Sequence, residues 1–258
     1  MVFKLSVLLL TPLLSGLLIY LIPKGKESSF KLLLAFAGAY LFAITVIHIL
    51  PDLFRSRLDL KFTGLAVLAG FFLQQLLEYF TSGVEHGHMH THQHRSKQDH
   101  VSHSHSSQGK SLSAMVLLFA LCVHAFLEGA MLAKPAIIGS FYNINAILLG
   151  IALHRAPAAF ALMTVLSHQL RSRIKALPHL LVFSLAAPLG LLFSTYLVNQ
   201  EILSADGLLY VYALASGNFL HISTTIVFEG SPDHRFNAQR MSMTLIGTLA
   251  AVAVEFIM

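Results

Sequence analysis

Eight apolar runs, each near the length of about 20 residues that a helix needs to cross a bilayer, fill almost all of this 258-residue chain. They cover residues 3–22, 31–53, 60–80, 112–133, 141–166, 177–198, 206–229 and 239–257. The links are short (Pro23 to Lys31, Arg55 to Lys61, Lys134 to Ser140, Arg171 to Arg173), and no soluble domain fits between them. Charge agrees with this. Only 11% of residues are Asp, Glu, Lys or Arg, whereas a water-facing surface needs about 25%. Mean hydropathy is +0.70. An ordinary soluble enzyme is excluded, and so is a disordered or nucleic-acid-binding chain, because the pI near 9.4 has no dense basic face behind it. Cys122 stands alone, so there is no intrachain disulfide and no CxxC motif. With no Trp, any aromatic belt is made of Tyr and Phe. The first run is read as a helix rather than a signal peptide. It exceeds the roughly 7–15 residues of a signal core, lacks a small-x-small cleavage site and is flanked by Lys24 and Lys26. The expected fold is all-α, a polytopic membrane protein of eight transmembrane helices. Residues 1–80 form helices 1–3, 81–111 a loop, 112–166 helices 4 and 5, and 167–258 helices 6–8.

Lys and Arg collect on the cytoplasmic side of a membrane protein. The odd-numbered links hold eleven: Lys24, Lys26, Lys31, Arg95, Lys97, Lys110, Arg171, Arg173, Lys175, Arg235 and Arg240. The opposite side holds five, Lys4, Arg55, Arg57, Lys61 and Lys134, and Arg155 is left inside a span. The odd links are therefore expected in the cytoplasm, with both termini outside.

Fifteen histidines stand against this low charge. Eight lie in the third link: His86, His88, His90, His92, His94, His100, His103 and His105. The segment 81–111 has too few large apolar residues to offset its ordering entropy, so it is expected to be disordered and cytoplasmic. Imidazole is the commonest metal ligand and is mostly neutral at cytosolic pH. Alternating histidines on a loose strand therefore read as a weak, adaptable metal trap, or else as a merely polar linker.

The histidines within spans are more informative, because ionisable groups there are costly and functional by default. His124 and Glu128 are four residues apart in CVHAFLEGAM and project from one helix face. His154 lies about midway along the next run, in IALHRAPAAF. At 1.5 Å per residue, His124 and His154 both fall in the central part of the bilayer, where they and Glu128 could share one site. Two imidazoles and a carboxylate suit Zn²⁺ or a similar first-row ion rather than Ca²⁺ or Mg²⁺. The bland alternative is a buried hydrogen-bonded pair, and Cys122 beside them reads as a packing residue. Arg155 needs a counter-charge, for which Glu128 is the nearest acid, and a fixed cation there would weaken metal binding by repulsion. Pro157 removes the helical donor of the Leu153 carbonyl and marks an expected break.

Other positions are read two ways. His48 and Asp52, in VIHILPDLF, either gather cations at an outer mouth or cap a helix end. His221 and Asn218, in SGNFLHIST, either line an inner passage leading to Glu229 or pack between helices. Glu78 and Glu255, near span ends, read as solvated, and His168, His179 and His234 as interfacial. Gly64, Gly70, Gly190 and Ala186–Ala187 are small enough to let helices slide past each other.

These motifs together resemble the ZIP (Zrt/Irt-like) family of divalent-metal transporters over essentially the full length. HAFLEG at 124–129 is similar to the family's fourth-helix H-[N/S]-x-x-[E/D]-G, and HRAPA at 154–158 to its fifth-helix H/Q-x-x-P-E. HILPD at 48–52 and GNFLH at 217–221 resemble its second- and seventh-helix motifs. The resemblance implies a ZIP-like bundle that imports zinc, or iron or manganese, into the cytoplasm, with His124, Glu128 and His154 as ligands between helices 4 and 5. Where two-metal members carry acids, this chain has Arg155 and Ala158, so a single-metal centre is expected. The ion is substrate; no organic cofactor or nucleic-acid partner is expected, and a homodimer is left open. The rival readings are a membrane-embedded zinc hydrolase and a cation-efflux carrier. The hydrolase lacks a general base beside the metal, and efflux carriers typically have six spans.

Overall fold

The computed structural model describes residues 1–21, 27–81, 108–133, 144–229 and 238–257, and the regular elements among them are all helical. They form eight rods. α1 is Val2–Leu17, tightening into the 3₁₀ turn Leu18–Tyr20. α2 is Glu27–Ile44, carried through a π turn, Thr45–Ile49, into the helical end piece Leu50–Arg55. α3 is Leu60–Thr81, α4 Gln108–Met131, α5 Ile144–Gln169 and α6 Arg173–Asn199. α7 is Ala205–Thr224, followed by a π turn, Thr225–Glu229, and α8 is Ala238–Ile257. The eight-loop-histidine segment, His86 to His105, lies outside the described residues.

Helix starts are set by short polar side chains that accept the otherwise unpaired first N–H groups. Asp59 Oδ1 accepts from the Lys61 and Phe62 amides at 2.9 and 3.1 Å, opening α3. Ser172 and Ser204 do the same for α6 and α7. At the far end of α4, Lys4 Nζ donates to the Leu132 carbonyl at 3.0 Å, a cation placed at the negative end of a helix. Arg57 pairs with Asp206 at 2.6 Å. Two of the five cations on the expected outer side thus have local partners.

Six of the rods are long and apolar enough to cross a membrane by length and composition. The other two are α4, whose described apolar stretch is the shorter Met115–Met131, and α7. α7 is more polar because it is enclosed by protein: Ser216, Gly217, Asn218, His221 and Ser223 are all buried. A helix surrounded by other helices does not have to be lipid-soluble all round. Pro157 does not break its helix, contrary to expectation, since α5 runs unbroken from Ile144 to Gln169. The departures from α-geometry are instead the π turns in α2 and after α7, a feature frequent at functional sites.

The rods pack as two groups, α1 with α4, α5 and α6, and α2 with α3, α7 and α8. Glycine sets the closest approaches within each. A Cβ on Gly70 would lie 1.9 Å from the Leu214 carbonyl oxygen, and one on Gly217 1.9 Å from that of Val67, so α3 and α7 touch backbone to backbone. A Cβ on Gly129 would lie 1.9 Å from Ala187 O, and one on Gly190 2.0 Å from Phe126 O, which joins α4 to α6 in the same way. These small residues bring helix pairs into backbone contact. Gly64, by contrast, faces open space.

Candidate metal centre

α4 places His124 and Glu128 one turn apart on a single face, and their side chains meet, with His124 Nε2 2.8 Å from Glu128 Oε1. α5 brings His154 to the same oxygen, with Nε2 at 2.6 Å. All three side chains are buried, Glu128 to 1% exposure, and their ligand atoms lie within 4.8 Å of one another. Among the described residues this is the one group of three or more His, Cys, Asp or Glu so arranged.

Supporting contacts orient these candidate ligands. His154 Nδ1 is 3.1 Å from the Gly150 carbonyl. A carbonyl only accepts, so Nδ1 carries a proton and Nε2 is left facing Glu128. Two such atoms 2.6 Å apart are held by a positive charge between them, a proton or a metal ion. Ligand atoms of a tetrahedral zinc stand roughly 3.3 Å apart, so admitting an ion requires the three groups to spread by several tenths of an ångström. The His124 and His154 rings meet edge to face at 5.8 Å, and Phe219 of α7 adjoins His154 at 6.2 Å. Gly129, directly after Glu128, is where α6 presses on α4.

Arg155 points away from His154 toward α6. Its Nη2 donates to the Phe183 carbonyl at 3.1 Å, and its guanidinium lies over the Phe183 ring, 4.9 Å from the centroid. The second oxygen of Glu128 is 3.9 Å from Arg155 Nε. Glu128 thus faces the two histidines with one oxygen and the arginine with the other. The carboxylate partner was readable from the sequence. Phe183 was not, because its part is played by a backbone carbonyl and an aromatic face that α6 supplies through the tertiary fold.

Two smaller clusters lie on the other helix group. His48, within the π turn, is 3.0 Å from Glu255 Oε1 of α8 and 3.8 Å from Asp52. His221 of α7 is 3.3 Å from Glu78 Oε2 of α3 and stacks edge-on against Phe71 at 4.8 Å. Glu78 and Glu255, expected to be solvated, are only 17% and 24% exposed and face histidines. The available signal was an acid inside an apolar run with no basic residue beside it. Asn218 is buried, and neither polar atom of its side chain has a hydrogen-bond partner among the described residues. Glu229 ends the second π turn, and its side chain lies outside the described residues. Cys122 packs partly buried against the core, as expected.

Comparison with known proteins follows the same line. A family model described as "ZIP Zinc transporter" matches residues 1–254. The chain is 36% identical over 114 residues to zinc transporter ZIP9 of Macaca fascicularis, covering 42% of this chain and 47% of that one. It is 38% identical over 114 residues to ZIP9-B of Xenopus laevis, covering 42% and 37%. The alignments therefore span less than half the length of these curated relatives. The family is one of transporters rather than enzymes, and the apolar helices agree with an integral, multi-pass membrane protein. On the match across nearly its whole length, the chain belongs to the ZIP zinc transporter family.

Proposed function

We propose that this protein carries a divalent transition metal across the membrane, with zinc favoured over iron or manganese, through a one-metal centre formed by His124, Glu128 and His154. The convergence of three buried ligand atoms within 4.8 Å is the observation that carries the reading. Import into the cytoplasm is the direction that the family resemblance implies, with the termini outside according to the distribution of Lys and Arg. Asp52 and His48 gather the ion, the centre strips its water, and Asn218, His221 and Glu229 lead it inward to the loop histidines.

The three ligands all belong to the group α1, α4, α5 and α6, while the two flanking clusters belong to the other group. Alternating access follows if the ligand-bearing group shifts as a body, which the backbone-tight α4–α6 joint supports. Arg155 keeps a fixed positive charge beside the ion, so that binding stays weak enough for release. A hydrolase would need a free general base at that point, and this chain has a guanidinium there instead.

The test is uptake of Zn²⁺, Fe²⁺ and Mn²⁺ into proteoliposomes, wild type against His124→Ala. Saturable zinc uptake is expected in wild type, falling at least tenfold in the variant; equal uptake by both sinks the reading. For Arg155→Ala, metal affinity measured in detergent should rise about tenfold, equivalent to about 1.4 kcal/mol, while turnover falls. Unchanged affinity removes Arg155 from the account.

A further inference from the structure

We infer that Tyr40 of α2 is a positioning residue for His154, holding from the opposite helix group the turn of α5 whose carbonyl orients that imidazole. This role rests on the transport reading and deepens it. Tyr40 is buried to 1% exposure. Its hydroxyl donates to the Ala146 carbonyl at 3.3 Å. Its ring lies against Gly150, where a Cβ would come within 3.2 Å of Cε1 and 3.4 Å of Cδ1. The Gly150 carbonyl is in turn the acceptor of His154 Nδ1 at 3.1 Å. Ala146, Gly150 and His154 are thus successive steps, four residues apart, along one face of α5.

Glycine inside a helix is costly because it gives up the most backbone freedom on folding. At position 150 the missing side chain is the seat of the Tyr40 ring. Two contacts on one turn fix its height and rotation. An imidazole hydrogen-bonded to that turn is fixed with it, as metal-binding histidines are by the group on their second nitrogen. Nothing here depends on the charge of His154, since Nδ1 carries a proton in either form. α2 and α5 belong to different groups and, among the described residues, make the broadest contact between them. The bonds from Ser15 to Ala156 and from Lys4 to Leu132 stay within one group, and the Arg57–Asp206 pair within the other. Tyr40 reaches across. A shift of the ligand-bearing group along α2 therefore withdraws Ala146 and Gly150 from Tyr40 and loosens His154 as the ion leaves. At 3.3 Å the hydroxyl bond exceeds the roughly 2.5–3.0 Å usual for O–H···O. Most of the grip is therefore the ring on Gly150, and the bond yields readily to such a shift.

The experiment uses full-length protein in detergent with the eight loop histidines changed to Ser. Co²⁺ is titrated, and the visible absorption band that disappears in His124→Ala is followed. Tyr40→Phe, which keeps the ring, should weaken binding about threefold, and Gly150→Ala, which pushes the ring away, about tenfold. His154→Gln keeps a ligating oxygen but has no Nδ1. In that background both changes should have an effect of about twofold or less, because effects that act through one residue do not add to its loss. Equal weakening with and without His154, or no weakening with it, overturns the inference. Zinc uptake into liposomes by otherwise unaltered protein gives a second measurement. Tyr40→Phe should raise KM about threefold and Gly150→Ala about tenfold, each with kcat within about twofold. A fall in kcat at unchanged KM, the mark of fewer folded molecules, overturns the inference. Wild-type protein that neither binds Co²⁺ at the centre nor takes up zinc overturns the transport reading instead.

Discussion

Replacing Glu128 by Gln is expected to weaken metal binding at least a hundredfold and to reduce uptake to the level of protein-free liposomes. Gln keeps the volume and one acceptor oxygen, so packing against α6 survives. What is lost is the charge that faces both His124 and His154 through one oxygen and Arg155 through the other. A hundredfold corresponds to about 2.7 kcal/mol, in keeping with the strength of charge-assisted contacts in a buried site. Arg155, 1% exposed, is left without its acid, and an unpaired cation at mid-membrane costs about 2.5–3.5 kcal/mol on insertion scales. The variant should therefore also unfold at lower temperature. Combining Glu128→Gln with Arg155→Leu separates the two effects, since thermal stability should return while metal binding does not. Isothermal titration with Zn²⁺ and a thermal melt in the same detergent read both. A loss of affinity under threefold would remove Glu128 from the centre.

Gly217→Val should be the most damaging change away from any ligand. The new Cβ would sit 1.9 Å from the Val67 carbonyl oxygen and 2.6 Å from the Phe71 amide nitrogen. Overpacking usually costs about 1–3 kcal/mol because side chains adjust. Here the obstacle is backbone, so the cost belongs at or above that upper end and falls on the whole α3–α7 seam. Asn218 and His221 follow directly, so the flanking His221–Glu78 cluster is displaced with it. Size-exclusion profiles and melts should show a poorly folded protein, whereas Gly64→Ala on the same helix as Val67, facing open space, should match wild type. Equal behaviour of the two variants would falsify the backbone-to-backbone packing of α3 and α7.

Much of this molecule was legible before any coordinates. The apolar runs gave the helices to within a few residues because, in lipid, length and hydropathy leave the backbone little alternative to a helix. The spacing of His124 and Glu128 put them on one face because an α-helix turns once in 3.6 residues. His154 could be matched to them by depth, since counting along a spanning helix gives height. What counting cannot give is rotation about the helix axis and the identity of neighbours across the bundle. Glu255 and Glu78 were misread for that reason. Their positions along the chain suggested exposed ends, and only the packing of α8 on α2 and of α3 on α7 shows that they face His48 and His221. Pro157 was misread as a break because a missing donor weakens a helix without necessarily ending it, and here the helix runs on from Ile144 to Gln169.

The sequence alone determined that the chain is an all-helical membrane protein, how far along its span each intramembrane histidine lies, and that His124 and Glu128 share one helix face. These follow from periodicities local to one segment. Tertiary structure decided that Arg155 turns to Phe183, that glycines clamp the helices in pairs, and that three histidine–carboxylate clusters divide between two helix groups. Those are relations between segments far apart in the chain, set by which helix faces can approach closely, and no periodicity within one helix encodes them.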